Sequence, residues 1–210
     1  MAFTLYGAPG SGNCHKVARM LKLCDLPATY RFINLMEGAQ HDPAFWEISP
    51  LGEIPVLVDG GKALYQSPLI LKHLAEKTGR FGPDTADERY RMDSWLIFDQ
   101  QRIFPSIAVK RFTMRFTPQF GNPEVYAFLD MNARRALREL DRALSVSDYL
   151  VGASPTIADI ACSAYPLMAG EAEIDIPAEW PAVAAWLDRL TALPGWVAPY
   201  DLMGREDGPL

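Results

Sequence analysis

Apolar and polar positions follow two different periods in the first third of the chain. Short runs of apolar, β-branched and aromatic residues predict strands at residues 3–6 and 29–33 and in the two arms of a hairpin that turns at 59–61. Helical spacing of apolar residues predicts helices at 12–25 and 67–78, with a short helix at 43–48 between them. The resulting order, βαβαββα, predicts a mixed sheet, because the crossover makes the first two strands parallel and the hairpin adds an antiparallel pair.

The chain beyond residue 78 has a different pattern. Residues 79–86 have the composition of a linker, and the sequence after them is helical in period. A single apolar stripe runs along the predicted helix 123–145 and consists of Val125, Leu129, Ala133, Ala136, Leu140 and Leu144. Pro105 predicts a kink within a helix, and Thr156–Asp159 predicts a capping box. The polar, glycine-rich tail after Asp201 is expected to be frayed.

These patterns predict a two-domain organisation. We expect an α/β domain over residues 1–78, a linker over 79–86 and an all-helical domain over 87–210.

Composition and charge exclude several classes of protein. The chain has 210 residues and a formal net charge of -6, so it lacks the basic footprint that binding to nucleic acid requires. Its longest apolar stretches are far shorter than a membrane span, and its first residues have no signal-peptide pattern, so we expect a cytoplasmic protein without a membrane partner. The three cysteines, Cys14, Cys24 and Cys162, form no Cys-x-x-Cys pair, which argues against a metal site or a disulfide framework.

The candidate chemistry lies in the turn that joins the first strand to the first helix. Ser11 and Asn13 are hydrogen-bonding residues at a predicted helix N-terminus, where unpaired N–H groups and the helix dipole stabilise an anion such as a thiolate. Cys14 follows on the apolar stripe of the helix and is expected to be a core residue. The alternative is that Ser11 and Asn13 are ordinary helix caps.

The spacing in this turn points to a ligand that supplies its own thiol. In a redox-active thioredoxin fold the turn reads Cys-x-x-Cys, whereas here Ser11 stands in the first position and only the inner thiol, Cys14, is kept. A hydroxyl cannot carry out disulfide exchange, but it can donate a hydrogen bond to a sulfur brought in by a ligand. The turn therefore favours activation of a thiol that the protein binds.

Four segments, in the same order along the chain, resemble the glutathione transferase family in its bacterial and theta-like forms. They are Tyr6–Val17, Ser49–Leu57, Leu64–Ser67 and Thr156–Asp159. The resemblance implies a thioredoxin-like N-terminal domain, an all-helical C-terminal domain, glutathione as co-substrate, no metal, and assembly as a homodimer.

The resemblance also implies roles for particular residues around the thiol. Ser11 would be the main hydrogen-bond donor to the glutathione thiolate, with Asn13 in support. Tyr6 is the rival donor, because other classes of the family use a tyrosine at the end of this strand. The alternative for Tyr6 is simple packing.

Other residues would hold the peptide itself. If the Ile54–Pro55 bond is cis, as in the family, the backbone of Ile54 can pair with the cysteinyl residue like an added strand. Gln66 and Ser67 would bind the γ-glutamyl carboxylate at a helix N-terminus. Gln40 would reach the glycyl carboxylate, and His41 is a weaker candidate for the same contact.

One residue departs from the family pattern. Many relatives carry Lys where this chain has Glu53, and a carboxylate there opposes the glycyl end of glutathione. We expect Glu53 to pair with a neighbouring cation instead.

The helical domain would supply the pocket for a hydrophobic electrophile. Its candidate lining residues are Phe104, Phe112 and Tyr165, with Tyr6 from the first domain, although aromatic residues at helical spacing are also typical of a core. The sequence thus predicts a glutathione S-transferase. Two alternatives stay open: a glutathione-dependent thiol-disulfide reductase or peroxidase, and a non-catalytic glutathione-binding protein of the same fold.

Overall fold

The computed structural model describes residues 3–210, except for the side chain of Pro209. The described chain forms two compact units. The first consists of the residues up to Arg80 together with Leu193–Leu210, and the second consists of Phe81–Ala192. The return of 193–210 to the first unit differs from the sequence-based division, which placed this segment in the helical domain.

The first unit contains a mixed five-stranded sheet. Its strands are β1 (Phe3–Gly7), β2 (Ala28–Phe32), β3 (Val56–Asp59), β4 (Lys62–Tyr65) and β5 (Gly208–Pro209), in the spatial order β4-β3-β1-β2-β5. The pair β1–β2 is parallel, with Phe3 opposite Ala28, and the other three pairs are antiparallel. The mixed sheet and the hairpin predicted from the sequence are therefore confirmed.

Three α-helices accompany this sheet. They are α1 (Gly12–Leu23), α2 (Pro43–Trp46) and α3 (Ser67–Thr78). Short 3₁₀ turns occur at Leu35–Glu37, Ala39–His41 and Pro199–Asp201. Both predicted long helices are thus present, and α1 buries its apolar stripe completely, since Cys14, Val17, Ala18 and Leu21 are each 0% exposed.

The tail after Asp201 is ordered, so the expectation that it frays is wrong. Leu202 and Met203 are buried in the first unit. The Asp207 carboxylate accepts hydrogen bonds from the Phe32 N–H at 2.8 Å and from Arg31 Nη1 at 2.7 Å. These contacts, together with the pairing of β5 with β2, give a polar segment the partners that its composition alone does not reveal.

The second unit is helical. Its α-helices are α4 (Ala86–Phe98), α5 (Val109–Arg115), α6 (Pro123–Leu144), α7 (Ile157–Ser163), α8 (Ile176–Glu179) and α9 (Pro181–Thr191). A π-helical segment, Asp99–Ala108, joins α4 to α5, and 3₁₀ turns occur at Pro118–Phe120 and Pro166–Ala172. Pro105 lies inside the π-helical segment, where the sequence predicted a kink. A proline has no N–H to donate to a carbonyl of the preceding turn. It therefore interrupts the α-helical hydrogen-bond pattern, whether the helix kinks or forms a π-helical segment.

Local signals in the sequence position these helices. The Thr85 side chain caps α4 by accepting a hydrogen bond from the Glu88 N–H at 3.1 Å. The capping box at Thr156 and Asp159 is present as predicted. The predicted stripe on α6 is buried except for Val125, which lies in the first turn and is 38% exposed. None of the described helices is both long and apolar enough to cross a membrane.

Candidate functional site

Ser11 lies at the N-terminus of α1, where it acts as the helix cap. Its backbone is extended, and its Oγ accepts a hydrogen bond from the Cys14 N–H at 3.3 Å. Capping uses a lone pair of the hydroxyl oxygen and leaves the O–H proton available to donate. The capping role that the sequence offered as an alternative is therefore real, and it is compatible with donation to a ligand.

Cys14 is a core residue. It is 0% exposed, and its Sγ packs so closely against β1 that a side chain at Gly7 would place a Cβ 2.9 Å from it. Burial raises the pKa of the Cys14 thiol to about 11, and contacts with the Ser11 side chain and the Ala8 backbone lower it only in part. The thiol is therefore protonated and inaccessible at neutral pH, which removes the exposed nucleophile that a Cys14-based reductase needs.

Asn13 joins the N-termini of α1 and α3. Its Oδ1 accepts hydrogen bonds from Lys16 Nζ at 2.8 Å and from Ser67 Oγ at 3.4 Å. Because two donors fix the oxygen, the amide orientation is assigned by the network, and Nδ2 is left as a donor. Ser67 is 3% exposed, so little solvent competes for this hydrogen bond, which joins the N-termini of α1 and α3.

Lys16 is a site residue that the sequence reasoning missed. It is 0% exposed, although lysine is almost never fully buried without a partner. Its charge lies beside the Asn13 amide, within the first turns of α1, and adds to the positive end of the helix dipole. The sequence feature that could have identified Lys16 is its position three residues after Asn13, which places both side chains on one face of the helix.

Gln66 has a strained backbone and a charged neighbour. It precedes α3 with φ of 67° and ψ of 105°, a conformation that costs a residue other than glycine about 1–3 kcal/mol. Its Nε2 donates a hydrogen bond to Glu53 Oε2 at 3.0 Å. The expectation that Glu53 pairs with a cation is therefore wrong, because its hydrogen-bond partner is the neutral side-chain amide of Gln66.

The loop before β3 is fixed at Ser49 and presents Ile54. Ser49 Oγ accepts from the Glu53 N–H at 3.1 Å and donates to the Glu53 carbonyl at 2.9 Å. The Ile54–Pro55 bond is cis, as the family resemblance implied. Among the described residues, neither the N–H nor the C=O of Ile54 has a hydrogen-bond partner. This backbone is thus available to an extended peptide.

Gln40 lies against the same loop. Its carbonyl oxygen would be 3.3 Å from a Cβ at Gly52, a position whose φ of +61° also favours glycine. Its side-chain Nε2 lies 3.2 Å from His41 Nε2, and its Oε1 is buried with no partner among the described residues. A buried amide oxygen without a partner is costly. Because this oxygen is an acceptor, only the Nε2 donor of Gln40 could contact a carboxylate.

The four aromatic candidates are divided between the two units. Tyr6 lies on β1, with its ring 6.2 Å from that of Phe45. In the second unit, the Phe104 ring meets the buried Tyr165 ring at 5.9 Å, while Phe112 pairs with Phe116 at 5.5 Å. Phe104 and Phe112 are 36% and 43% exposed, so both rings are accessible to solvent, whereas Tyr165 is buried and packs against Phe104.

Two family models match the chain. The model for "Glutathione S-transferase, N-terminal domain" matches residues 5–83, and the model for "Glutathione S-transferase, C-terminal domain" matches residues 105–194. Together they cover parts of both compact units.

Individual relatives agree with these models. The disulfide-bond oxidoreductase YfcG of Escherichia coli is 32% identical over 90% of each chain. A glutathione S-transferase from Pseudomonas fluorescens has a solved structure with a TM-score of 0.89 and 34% identity, which covers 94% of this chain and 98% of that one. Another family member from the same species, solved with two glutathione molecules bound, has a TM-score of 0.84 and 27% identity, with 94% and 92% covered.

Proposed function

The chain belongs to the glutathione S-transferase family, and from this premise we propose that it binds glutathione in its first unit and activates the thiol for attack on a hydrophobic electrophile. The observation that carries the proposal is the bridge from Asn13 to Ser67, which brings two helix N-termini together beside the hydroxyl of Ser11.

The proposed contacts use the Ile54 backbone, which has no partner among the described residues, and the N-terminus of α3, where the side chains of Gln66 and Ser67 already donate to Glu53 and Asn13. The Ile54 backbone beside Pro55 pairs with the cysteinyl residue of glutathione, and the N-terminus of α3 at Gln66 and Ser67 takes the γ-glutamyl carboxylate. Gln40 takes the glycyl end. A structure with glutathione bound, from a relative that is 27% identical, supports this use of the fold.

The proposed chemistry is a nucleophilic displacement. The glutathione thiol gives its proton to solvent, the thiolate sulfur forms a bond to the electrophilic carbon, and the leaving group departs with its electron pair. A free thiol has a pKa near 8.5, and lowering it by about two units takes about 3 kcal/mol of preferential stabilisation of the anion. A hydrogen bond to a charged group contributes about 1.5–3 kcal/mol, and a helix N-terminus adds up to about 1 kcal/mol, so Ser11, Asn13 and the α1 dipole together match the requirement.

Within the helical unit we assign the exposed faces of Phe104 and Phe112 to the electrophile, with the buried Tyr165 ring packed against Phe104. Aromatic rings of this kind bind apolar and aromatic substrates through large contact areas. We also propose a homodimer, because α4 and α6 expose large apolar side chains: Tyr90 (75%), Ile97 (56%), Phe128 (62%) and Met131 (59%). Light scattering that gives a mass near 23.4 kDa at working concentration would contradict the dimer.

The substitution Ser11→Ala tests the thiolate donor. We expect the pKa of enzyme-bound glutathione, followed by ultraviolet absorbance of the thiolate, to rise, and turnover of 1-chloro-2,4-dinitrobenzene to fall by about ten- to a thousand-fold. Thr85→Ala is the matched control, since Thr85 caps α4 in the same way and its loss costs about 1 kcal/mol of stability without touching the thiol. An unchanged thiol pKa in Ser11→Ala, with glutathione still bound in calorimetry, would show that Ser11 is only a cap. The same titration on Tyr6→Phe would then test the rival donor.

A second candidate reaction is glutathione-dependent disulfide reduction, which the 32% identity to a disulfide-bond oxidoreductase favours. Because Cys14 is buried and protonated, the attacking thiolate would be that of bound glutathione. It would displace one sulfur of the substrate disulfide as a thiolate, and a second glutathione would then release the other sulfur as a thiol and leave glutathione disulfide. Turnover of 2-hydroxyethyl disulfide, compared with that of 1-chloro-2,4-dinitrobenzene, separates the two reactions. Calorimetry that detects no binding of glutathione would refute both.

A further inference from the structure

The segment that carries the proposed contacts to the glycyl and cysteinyl residues contains no lysine or arginine. Residues 32–61 include Gln40 and Ile54, and every fixed charge among them is negative. The five acidic residues are Glu37, Asp42, Glu47, Glu53 and Asp59. Glutathione itself carries two carboxylates and one ammonium group at neutral pH. Its glycyl carboxylate therefore approaches a stretch of chain that repels it.

Glu53 is the acidic residue beside the peptide contacts. It immediately precedes Ile54, and its Oε2 accepts a hydrogen bond from Gln66 Nε2 at 3.0 Å. Among the described residues Glu53 forms no ion pair, so its negative charge is not compensated. Asp59 differs in this respect, because Lys77 Nζ lies 2.6 Å from its carboxylate.

The side chain of Gln40 has the same preference for donors. Its Nε2 can only donate, and it lies 3.2 Å from His41 Nε2, so this donor is already engaged. Its Oε1 is buried and has no partner among the described residues. A carboxylate offers only acceptors and cannot satisfy this oxygen, whereas an amide N–H can.

An exposed glutamate is usually a solvated surface charge, but two features separate Glu53 from that default. Its carboxylate is held by Gln66, at the N-terminus of α3, and it lies next to the part of the chain that holds Gln40. The Gln40 carbonyl oxygen would be 3.3 Å from a Cβ at Gly52, the residue before Glu53. Both Glu53 and Gln40 therefore favour a ligand whose terminal group donates hydrogen bonds and carries no negative charge.

We propose that this site prefers a γ-glutamylcysteinylglycine whose terminal carboxylate is joined to an amine as an amide, over glutathione itself. The amide removes the charge that Glu53 opposes and supplies an N–H to Gln40 Oε1. An ammonium group on the attached amine adds attraction to Glu53. The inference rests on the proposed function, because it takes the peptide contacts at Ile54 and Gln66 as given.

Calorimetry of the full chain with four S-methyl peptides tests this preference, since the methyl group removes ionisation of the thiol from the comparison. The peptides are S-methylglutathione and its glycyl amide, glycyl ethyl ester and glycyl aminoethyl amide. We expect the amide to bind about three- to ten-fold more tightly than S-methylglutathione, and the aminoethyl amide to bind more tightly still. The ester has neither the negative charge nor the N–H, so the margin of the amide over the ester measures the contact with Gln40. The γ-glutamyl group is common to all four peptides, so its contacts cancel.

Three variants assign the preference to residues. In Glu53→Gln the advantage of the amide over S-methylglutathione should fall to its margin over the ester, and Glu53→Lys should reverse the order. Gln40→Met should remove the margin of the amide over the ester. Glu76→Gln is the matched control, because Glu76 is exposed on α3 about 15 Å along the helix from Gln66, and it should leave every ratio unchanged.

The outcomes separate this proposal from the proposed function. If S-methylglutathione bound the parent chain as tightly as its amide does, the preference would be refuted while the peptide site would stand. A ratio that Glu53→Gln leaves unchanged, or that Glu76→Gln changes equally, would show that Glu53 does not set the preference. The absence of binding by all four peptides would refute the peptide site, and with it the proposed function.

Discussion

Replacement of Asp159 by alanine should cost the helical unit most of its stability. This carboxylate is 0% exposed and lies at the third position of α7. It accepts hydrogen bonds from the Thr156 N–H at 2.8 Å, the Leu150 N–H at 3.0 Å and Trp186 Nε1 at 2.9 Å. All three donors belong to buried residues, so none of them gains water when the carboxylate is removed.

The magnitude follows from the number of donors left without a partner. Each buried N–H that loses its acceptor costs about 1–3 kcal/mol, so Asp159→Ala should lower the free energy of unfolding by about 3–9 kcal/mol. That range overlaps the whole stability of a typical domain, about 5–15 kcal/mol. Asp159→Asn keeps the shape and one acceptor, and we expect it to cost about half as much.

Urea denaturation followed by far-ultraviolet circular dichroism measures these values. Asn122→Ala is the matched control, because Asn122 is an exposed cap whose Oδ1 accepts from the Val125 N–H at 2.9 Å, and its loss should cost about 1 kcal/mol. Hydrogen exchange should show that α7 and α9 lose protection before the sheet of the first unit does. If Asp159→Ala were no more destabilising than Asn122→Ala, the argument from buried donors would be refuted.

Three further predictions follow from charged residues. Arg19 is fully buried, its guanidinium lies 4.1 Å from the centre of the Trp196 ring, and its nitrogens have no hydrogen-bond partner among the described residues. Burial lowers the pKa of Arg19 to about 9. In urea denaturation, Arg19→Met should therefore leave the free energy of unfolding unchanged or raise it by about 1–3 kcal/mol, and a clear loss of stability would contradict this. The pKa of Asp59 is lowered by its hydrogen bonds from Lys77 and His73, so its contribution to stability is present above the unfolded pKa and is lost as pH falls through the folded pKa; Asp59→Asn should lower the melting temperature at pH 7 but not at a pH below both values, and an equal loss at both would refute the linkage. Glu53→Gln removes a negative charge beside a site for an anionic peptide, and calorimetry should show several-fold tighter glutathione binding; unchanged or weaker binding would mean that Glu53 does not face the peptide.

Elements set by local chemistry could be predicted from the sequence. The Asp59-Gly60-Gly61 turn, the helix at Ser67–Thr78 and the capping box at Thr156 all depend on residues within a few positions of one another, and the structure contains each of them. Burial of Cys14 was predictable for the same reason, since helical period alone places it on the apolar face of α1.

Features set by distant contacts could not be predicted. The Glu53–Gln66 hydrogen bond depends on a loop and on a positive φ at a residue that is not glycine, and neither has a pattern in the sequence. No sequence pattern indicates the complete burial of Lys16 either, because lysine on a helix is normally solvated. The polar composition of the tail pointed away from order, and only the pairing of β5 with β2 accounts for it.

That last pairing has a consequence for synthesis on the ribosome. The outer edge of β2 is covered by Gly208–Pro209, and the Leu210 N–H donates to the Ala28 carbonyl at 2.9 Å. Residues 193–210 leave the ribosome only after the entire helical unit has been translated, so the nascent first unit exposes an uncovered strand edge throughout that time. An open edge is a template for pairing with other chains. The nascent chain should therefore depend on chaperones to prevent aggregation until residues 193–210 have emerged.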